Sequence, residues 1–108
     1  MRKYSATGTP AITFITQYEL LKYRGKRAKP IRDVMADLKV YHSDDYSAGE
    51  AALIYNNLKD RSRLINENDI LIAGIALANG ETLIAADKDF KNIDSDRITV
   101  LGNGKVSP

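Results

Sequence analysis

The chain has no cysteine among its 108 residues, which excludes disulfides, thiolate chemistry and Cys-based zinc sites. It has one histidine, His42, too few for a multi-histidine zinc site or for most triad arrangements within one chain. Any bound metal is therefore expected to be a hard ion held by oxygen, magnesium or manganese first. No apolar run approaches the length of a membrane span, and the N-terminus lacks the apolar stretch of a signal peptide. The reading is a cytoplasmic protein with no membrane partner. Acid is scarce early in the chain: of 14 Asp and Glu residues, only Glu19 precedes Asp33.

What is present is ordinary for a globular protein, 44% hydrophobic and 28% charged, and the length suits one domain, 1–108. The net charge of +2 is unevenly placed. Residues 20–32 carry Lys22, Arg24, Lys26, Arg27, Lys29 and Arg32 with no acid among them. Such a basic arm reads equally as a solvated helix end or as an edge that contacts a polyanion.

The chain is organised around residues 66–80. From Ile70 to Ala78 every residue is Ile, Leu or Ala except Gly74. A helix apolar on all sides belongs in the middle of a domain. Asn66 or Asn68 can cap its start, and Gly80 suits the left-handed position that ends it. Gly74, with Ala73 and Ala76, lets a neighbouring backbone come close. Asp69 sits at the mouth of this helix, where the helix dipole favours a carboxylate.

In order, residues 1–6 look like the tail of a helix, and 7–10 are turn material. Residues 11–15 read as a strand, and Thr16 to Glu19 as a capping box that opens a helix running toward Gly25. Residues 26–30 read as a basic loop, 31–38 as a short amphipathic helix, and 39–42 as a strand. Asp44 and Asp45 are placed to cap a helix over 46–59. Strands are predicted at 82–86 and 97–101, and a frayed tail at 102–108. Strands alternating with helices argue for a parallel sheet flanked by helices, with sites at the carboxyl ends of the strands.

Glu19 follows one strand, Asp87 follows another, and Asp69 opens the helix before it. Such a carboxylate group without His or Cys suits a hard divalent cation, which activates water and neutralises a phosphodiester under attack. Each acid also has a plain structural reading. Glu19 can complete a capping box with Thr16, Asp69 one with Asn66, and Asp87 can cap the turn at 89–92. Asp89, Asp94 and Asp96 read as solvated surface. Asp44 and Asp45 read as caps, although an adjacent acid pair can also hold magnesium, and His42 reads as a strand-end or surface residue before a catalytic base. Tyr18, Tyr23, Tyr41 and Tyr55 read most simply as core-edge residues, with stacking on a base as the alternative.

Taken in order, Thr16-Gln-Tyr-Glu-Leu-Leu21, Asn68-Asp-Ile-Leu-Ile-Ala-Gly-Ile-Ala76 and Thr82-Leu-Ile-Ala-Ala-Asp-Lys-Asp-Phe90 resemble the PIN-domain ribonucleases. Within them the chain looks most like the VapC-type toxins of prokaryotic toxin–antitoxin pairs. The resemblance runs over about residues 11–101 and implies an α/β fold of three layers. It also implies a magnesium- or manganese-dependent endoribonuclease. By that resemblance Glu19, Asp69 and Asp87 are the catalytic, metal-holding acids, and Asp89 supports them. Lys22, Arg24, Lys26 and Arg27 would track the RNA, a small antitoxin would cover the cleft, and homodimers are expected. Ala85 stands where the family often has a polar residue.

The front departs more. PIN domains open with a mid-sheet strand ending in a first aspartate; here no aspartate precedes Asp33, and residues 1–6 do not read as a strand. An upstream start, a truncation, or a strand swapped in from another chain would each explain this. The rival reading is a catalytically inactive PIN-like remnant that binds RNA or a protein. An acidic phosphotransfer or receiver-like domain fits the α/β alternation but not the order of the motifs.

Overall fold

The buried helix expected at 66–80 is the centre of the molecule. The computed structural model describes residues 2–4 and 10–101. Helix α4, Glu67–Ala78, is capped by Asn66, whose side chain accepts from the Asn68 N–H at 2.8 Å, and Gly80 follows it at φ +67°. Ile70, Ile72, Ala73, Gly74, Ile75 and Ala76 are buried, and only Leu71 among its large apolar residues is exposed.

The chain forms β1 (Arg2–Tyr4), β2 (Pro10–Thr13), α1 (Phe14–Leu21), a 3-10 turn (Gly25–Arg27), α2 (Ala28–Met35), β3 (Lys39–Tyr41) and α3 (Asp45–Asp60). After α4 come β4 (Thr82–Ala85), a second 3-10 turn (Lys88–Asn92) and β5 (Ile98–Val100). The strands make one five-stranded sheet in the order β3-β2-β1-β4-β5. β2 pairs parallel with β3, and β4 parallel with β5. Three consecutive β2 residues, Ala11, Ile12 and Thr13, are buried. Successive strand residues point to opposite faces, so both faces of the sheet are covered there.

The expectation for residues 1–6 is corrected. Arg2–Tyr4 is a strand, not a helix tail, and it fills the mid-sheet position that the sequence reading left empty. It runs antiparallel to both neighbours, with Lys3 opposite Ala11 on one side and Leu83 on the other. A strand needs only its backbone to pair. Between two parallel pairs a three-residue segment can satisfy both open edges without an apolar pattern to announce it. The rest of the turn expected at 7–10 and the tail at 102–108 lie outside the described residues.

The helix after β2 also begins earlier than predicted. Thr13, not Thr16, is its N-cap, and its hydroxyl oxygen accepts from the Thr16 N–H at 3.1 Å. The basic loop expected at 26–30 is instead a 3-10 turn leading into α2, with Pro30 in the first turn of the helix, where a missing N–H costs nothing. Asp44 caps α3 as expected, in a full capping box with Ser47.

Helices α3 and α4 cross closely, and Ala51, Ile54, Leu58, Ile70, Ile72, Ala73 and Ala76 join Leu83, Ala85, Phe90 and Ile93 in one core. On the other side of α3 the packing is loose. A Cβ added at Gly49 would meet nothing within 4 Å. Gly49→Ala is therefore expected to raise stability by about 1 kcal/mol, the helix-propensity difference alone. Thermal unfolding checks this, and a melting point that falls would show a contact at Gly49.

Glu81, 4% exposed just before β4, accepts a hydrogen bond from the Tyr41 hydroxyl through Oε2, while its Oε1 has no hydrogen-bond partner among the described residues. That bond, followed by burial, raises the Tyr41 hydroxyl above its ordinary pKa.

Candidate active site

The parallel strands set the geometry. α1 leaves the carboxyl end of β2, and the second 3-10 turn leaves the carboxyl end of β4. α4 runs back to the start of β4, so its N-terminus faces the same edge. Glu19 on α1, Asp69 in the first turn of α4, and Asp87 just after β4 are thereby brought toward one rim.

Electrostatics records their approach. Burial pushes the Asp69 carboxyl above its ordinary pKa, and the like charges of Asp87, then Glu19, then Asp89 push it the same way. One carboxylate thus senses all three of the other acids singled out from the sequence. Asp69 and Glu19 are half-buried, while Asp87 and Asp89 are exposed.

Their structural alternatives fare differently. With Thr13 as the cap of α1, Glu19 has no capping role. Asn66 caps onto Asn68 and not in a box with Asp69. Asp87 does cap its turn: its Oδ1 accepts from the Asp89 N–H at 2.9 Å, which occupies one of its two oxygens.

The donor set, carboxylate oxygen throughout, fits a hard divalent cation, and the mutual repulsion at Asp69 is what such a cation relieves. Among the described residues no three His, Asp or Glu side chains stand close enough to hold an ion as they are. An ion held by these acids would have to draw them together.

Lys22 caps the end of α1, Arg24 precedes the 3-10 turn, and Lys26 and Arg27 lie within it, all exposed. Lys29 pairs with Asp33 at 2.8 Å, an exposed i,i+4 bridge that reduces its part in the arm. His42 is exposed and stacks on Phe14, with ring centroids 6.2 Å apart.

The tyrosines are where the sequence reading missed most. Tyr18 and Tyr23 are not core-edge residues; they are 58% and 44% exposed. Lys22 lies 4.9 Å over the ring of Tyr18, and Arg27 6.0 Å from that of Tyr23. The i,i+4 aromatic–cation spacing was the signal in the sequence.

Comparison with known families places this arrangement. The PIN domain matches residues 2–96. The chain belongs to the PIN domain family. The PIN fold is shared with solved structures. A chain of VapBC-5 from Mycobacterium tuberculosis, a member of the VapBC family of toxin–antitoxin systems, superimposes with a TM-score of 0.73 at 24% identity. That match covers 83% of this chain and 79% of the other. A chain of VapBC2 from Rickettsia felis, bound to a DNA fragment from the promoter, gives a TM-score of 0.67 at 24% identity, over 83% and 71% of the two chains. No curated protein matches the sequence. Among the described residues no helix is long and apolar enough to cross a membrane.

Proposed function

We propose that this PIN domain is a magnesium- or manganese-dependent endoribonuclease, the toxin of a toxin–antitoxin pair in the manner of the VapBC proteins whose fold it shares. The observation that carries the reading is the electrostatic convergence of Asp87, Glu19 and Asp89 on Asp69 at the carboxyl edge of the sheet. Glu19, Asp69 and Asp87 hold the ion, with Asp89 supporting them. A bound divalent ion supplies an activated water and offsets charge on the phosphoryl oxygens. The chain's own residues do the rest. The backbone N–H of Asp89 occupies one Asp87 oxygen. Lys22, Arg24, Lys26 and Arg27 hold the RNA backbone, which makes binding salt-sensitive. An antitoxin covering the acidic rim and a second copy of the chain are the expected protein partners.

A second reading is kept because the carboxylates stand apart and no aspartate precedes Asp33. In that reading the domain binds RNA or a protein without cutting. Incubating the chain with labelled RNA, with and without manganese, separates the two. Ion-dependent cleavage products are expected; RNA retained uncut at every ion concentration would favour the binding domain.

A further inference from the structure

Thr16, Glu19, Leu20 and Tyr23 fall at i, i+3, i+4 and i+7, one face of a helix. The structure bears this out: with Lys22 they line a cavity of about 490 Å3. Just past the last residue of α1, the Tyr23 N–H donates to the Leu20 carbonyl at 3.2 Å, a bond from i to i−3 that closes the helix end and keeps Tyr23 against it. Glu19 and Tyr23 therefore share one cavity at the end of α1. The cavity is lined by the buried Thr16, the apolar Leu20, the cationic Lys22 and the exposed aromatic ring of Tyr23 as well as Glu19.

An exposed aromatic ring beside a basic arm is the composition of a single-strand binding surface. Cations track the phosphates, while the ring offers a face to any base. Here Tyr23 has Arg27 at 6.0 Å and Lys22 as its chain neighbour, with Arg24 and Lys26 on the same exposed segment. We infer that Tyr23 is a base-stacking residue of the candidate active site. An unpaired nucleotide whose phosphates are tracked by Lys22, Arg24 and Lys26 places its base on Tyr23, in the cavity that Thr16, Glu19 and Leu20 also line. A duplex cannot offer that base without unpairing it, so Tyr23 selects single strands. The inference rests on RNA being the substrate.

The test measures binding with divalent ions chelated, so that no strand is cut. The probes are a labelled oligouridylate and an RNA duplex of equal length, against the parent chain and the variants Tyr23→Ala, Tyr23→Phe and Lys22→Ala. The parent is expected to prefer the single strand. Tyr23→Ala should lose roughly tenfold in affinity for the single strand and little for the duplex, while Tyr23→Phe keeps both. Lys22→Ala should weaken both and lower the salt dependence. Intrinsic emission comes from six tyrosines with no tryptophan, so quenching on binding, diminished in Tyr23→Ala, is a direct sign of stacking. Unchanged single-strand affinity in Tyr23→Ala, or equal affinity of the parent for duplex, overturns the inference and assigns the ring to a protein contact. If the parent binds no RNA at all, the inference falls together with the proposed ribonuclease. If it binds or cuts RNA indifferently to Tyr23, only the stacking role is lost.

Discussion

Asp69→Asn is expected to reduce ion-dependent RNA cleavage by at least about a hundredfold, the loss typical of removing one well-placed charge-stabilising group. The same change should make the ion-free chain more stable at neutral pH. Both effects have one cause. Asp69 is half-buried, and Asp87, Glu19 and Asp89 repel its charge, so its folded pKa lies above the ordinary value of 3.8. A carboxyl raised in this way lends stability below its unfolded pKa, and that stability is lost as pH rises through the folded pKa. The melting-point gap between Asp69→Asn and the parent, measured with a chelator, should therefore open as pH rises from about 3.8 through that window and then level off. Added manganese should raise the parent's melting point and leave the variant's nearly unmoved, because only a bound ion shifts the folding equilibrium. A variant less stable than the parent at neutral pH would show that the Asp69 charge is held by partners, and would remove the ground for placing an ion there.

Gly74→Ala is expected to destabilise the fold although it improves helix propensity. A Cβ at residue 74 would lie 2.8 Å from the Ala51 Cβ, 2.9 Å from the Ala51 nitrogen and 2.9 Å from the Ser47 carbonyl oxygen. Two of these three are backbone atoms of α3 and cannot swing aside. Overpacking costs about 1–3 kcal/mol and sometimes more, against a propensity gain of about 1 kcal/mol. The crowding wins, by roughly 1 kcal/mol, or about 5 °C in melting temperature for a domain of this size. Because α4 carries Asp69, the shift in helix spacing should also weaken ion binding. Thermal unfolding beside Gly49→Ala gives the contrast, a loss at one helix glycine and a gain at the other. An unchanged or higher melting point for Gly74→Ala would mean that α3 and α4 separate at little cost.

The contrast between these glycines also shows what a sequence discloses. Gly74 was legible because it interrupts a run of Ile, Leu and Ala, which only a tightly packed helix explains. The Asp44 cap and the left-handed Gly80 were legible for a similar reason: each is set by chemistry within a few residues. The convergence of Glu19, Asp69 and Asp87 followed from alternating strands and helices, which send loops to one edge. The cap of α1 was misplaced because Thr13 and Thr16 are both competent. The buried strand before them, which ends at Thr13, decides between the two. Arg2–Tyr4 was not legible at all. Its place comes from two strand edges distant in sequence, and no local pattern reports that. The exposure of Tyr18 and Tyr23 was missed because aromatic residues default to the core, and only the path of α1 turns these two outward.

The antiparallel strand at mid-sheet gives the molecule a seam. On one side lie β2 and β3 with α1 and its Glu19; on the other lie β4 and β5 with Asp87, and the helix that carries Asp69 leads into β4. Among the described residues the sheet's backbone ladder joins these halves through Arg2–Tyr4. The acids that a cation would gather are thus divided between two halves that the sheet joins through β1 and that α4 also joins, by packing against α1 and β2. Linkage is reciprocal, so whatever free energy an ion gains by finding the halves in register is returned as cohesion between them. With an ion bound as proposed, the domain would act as a clasp: filling the rim would fasten the sheet, and loosening the seam would empty the rim.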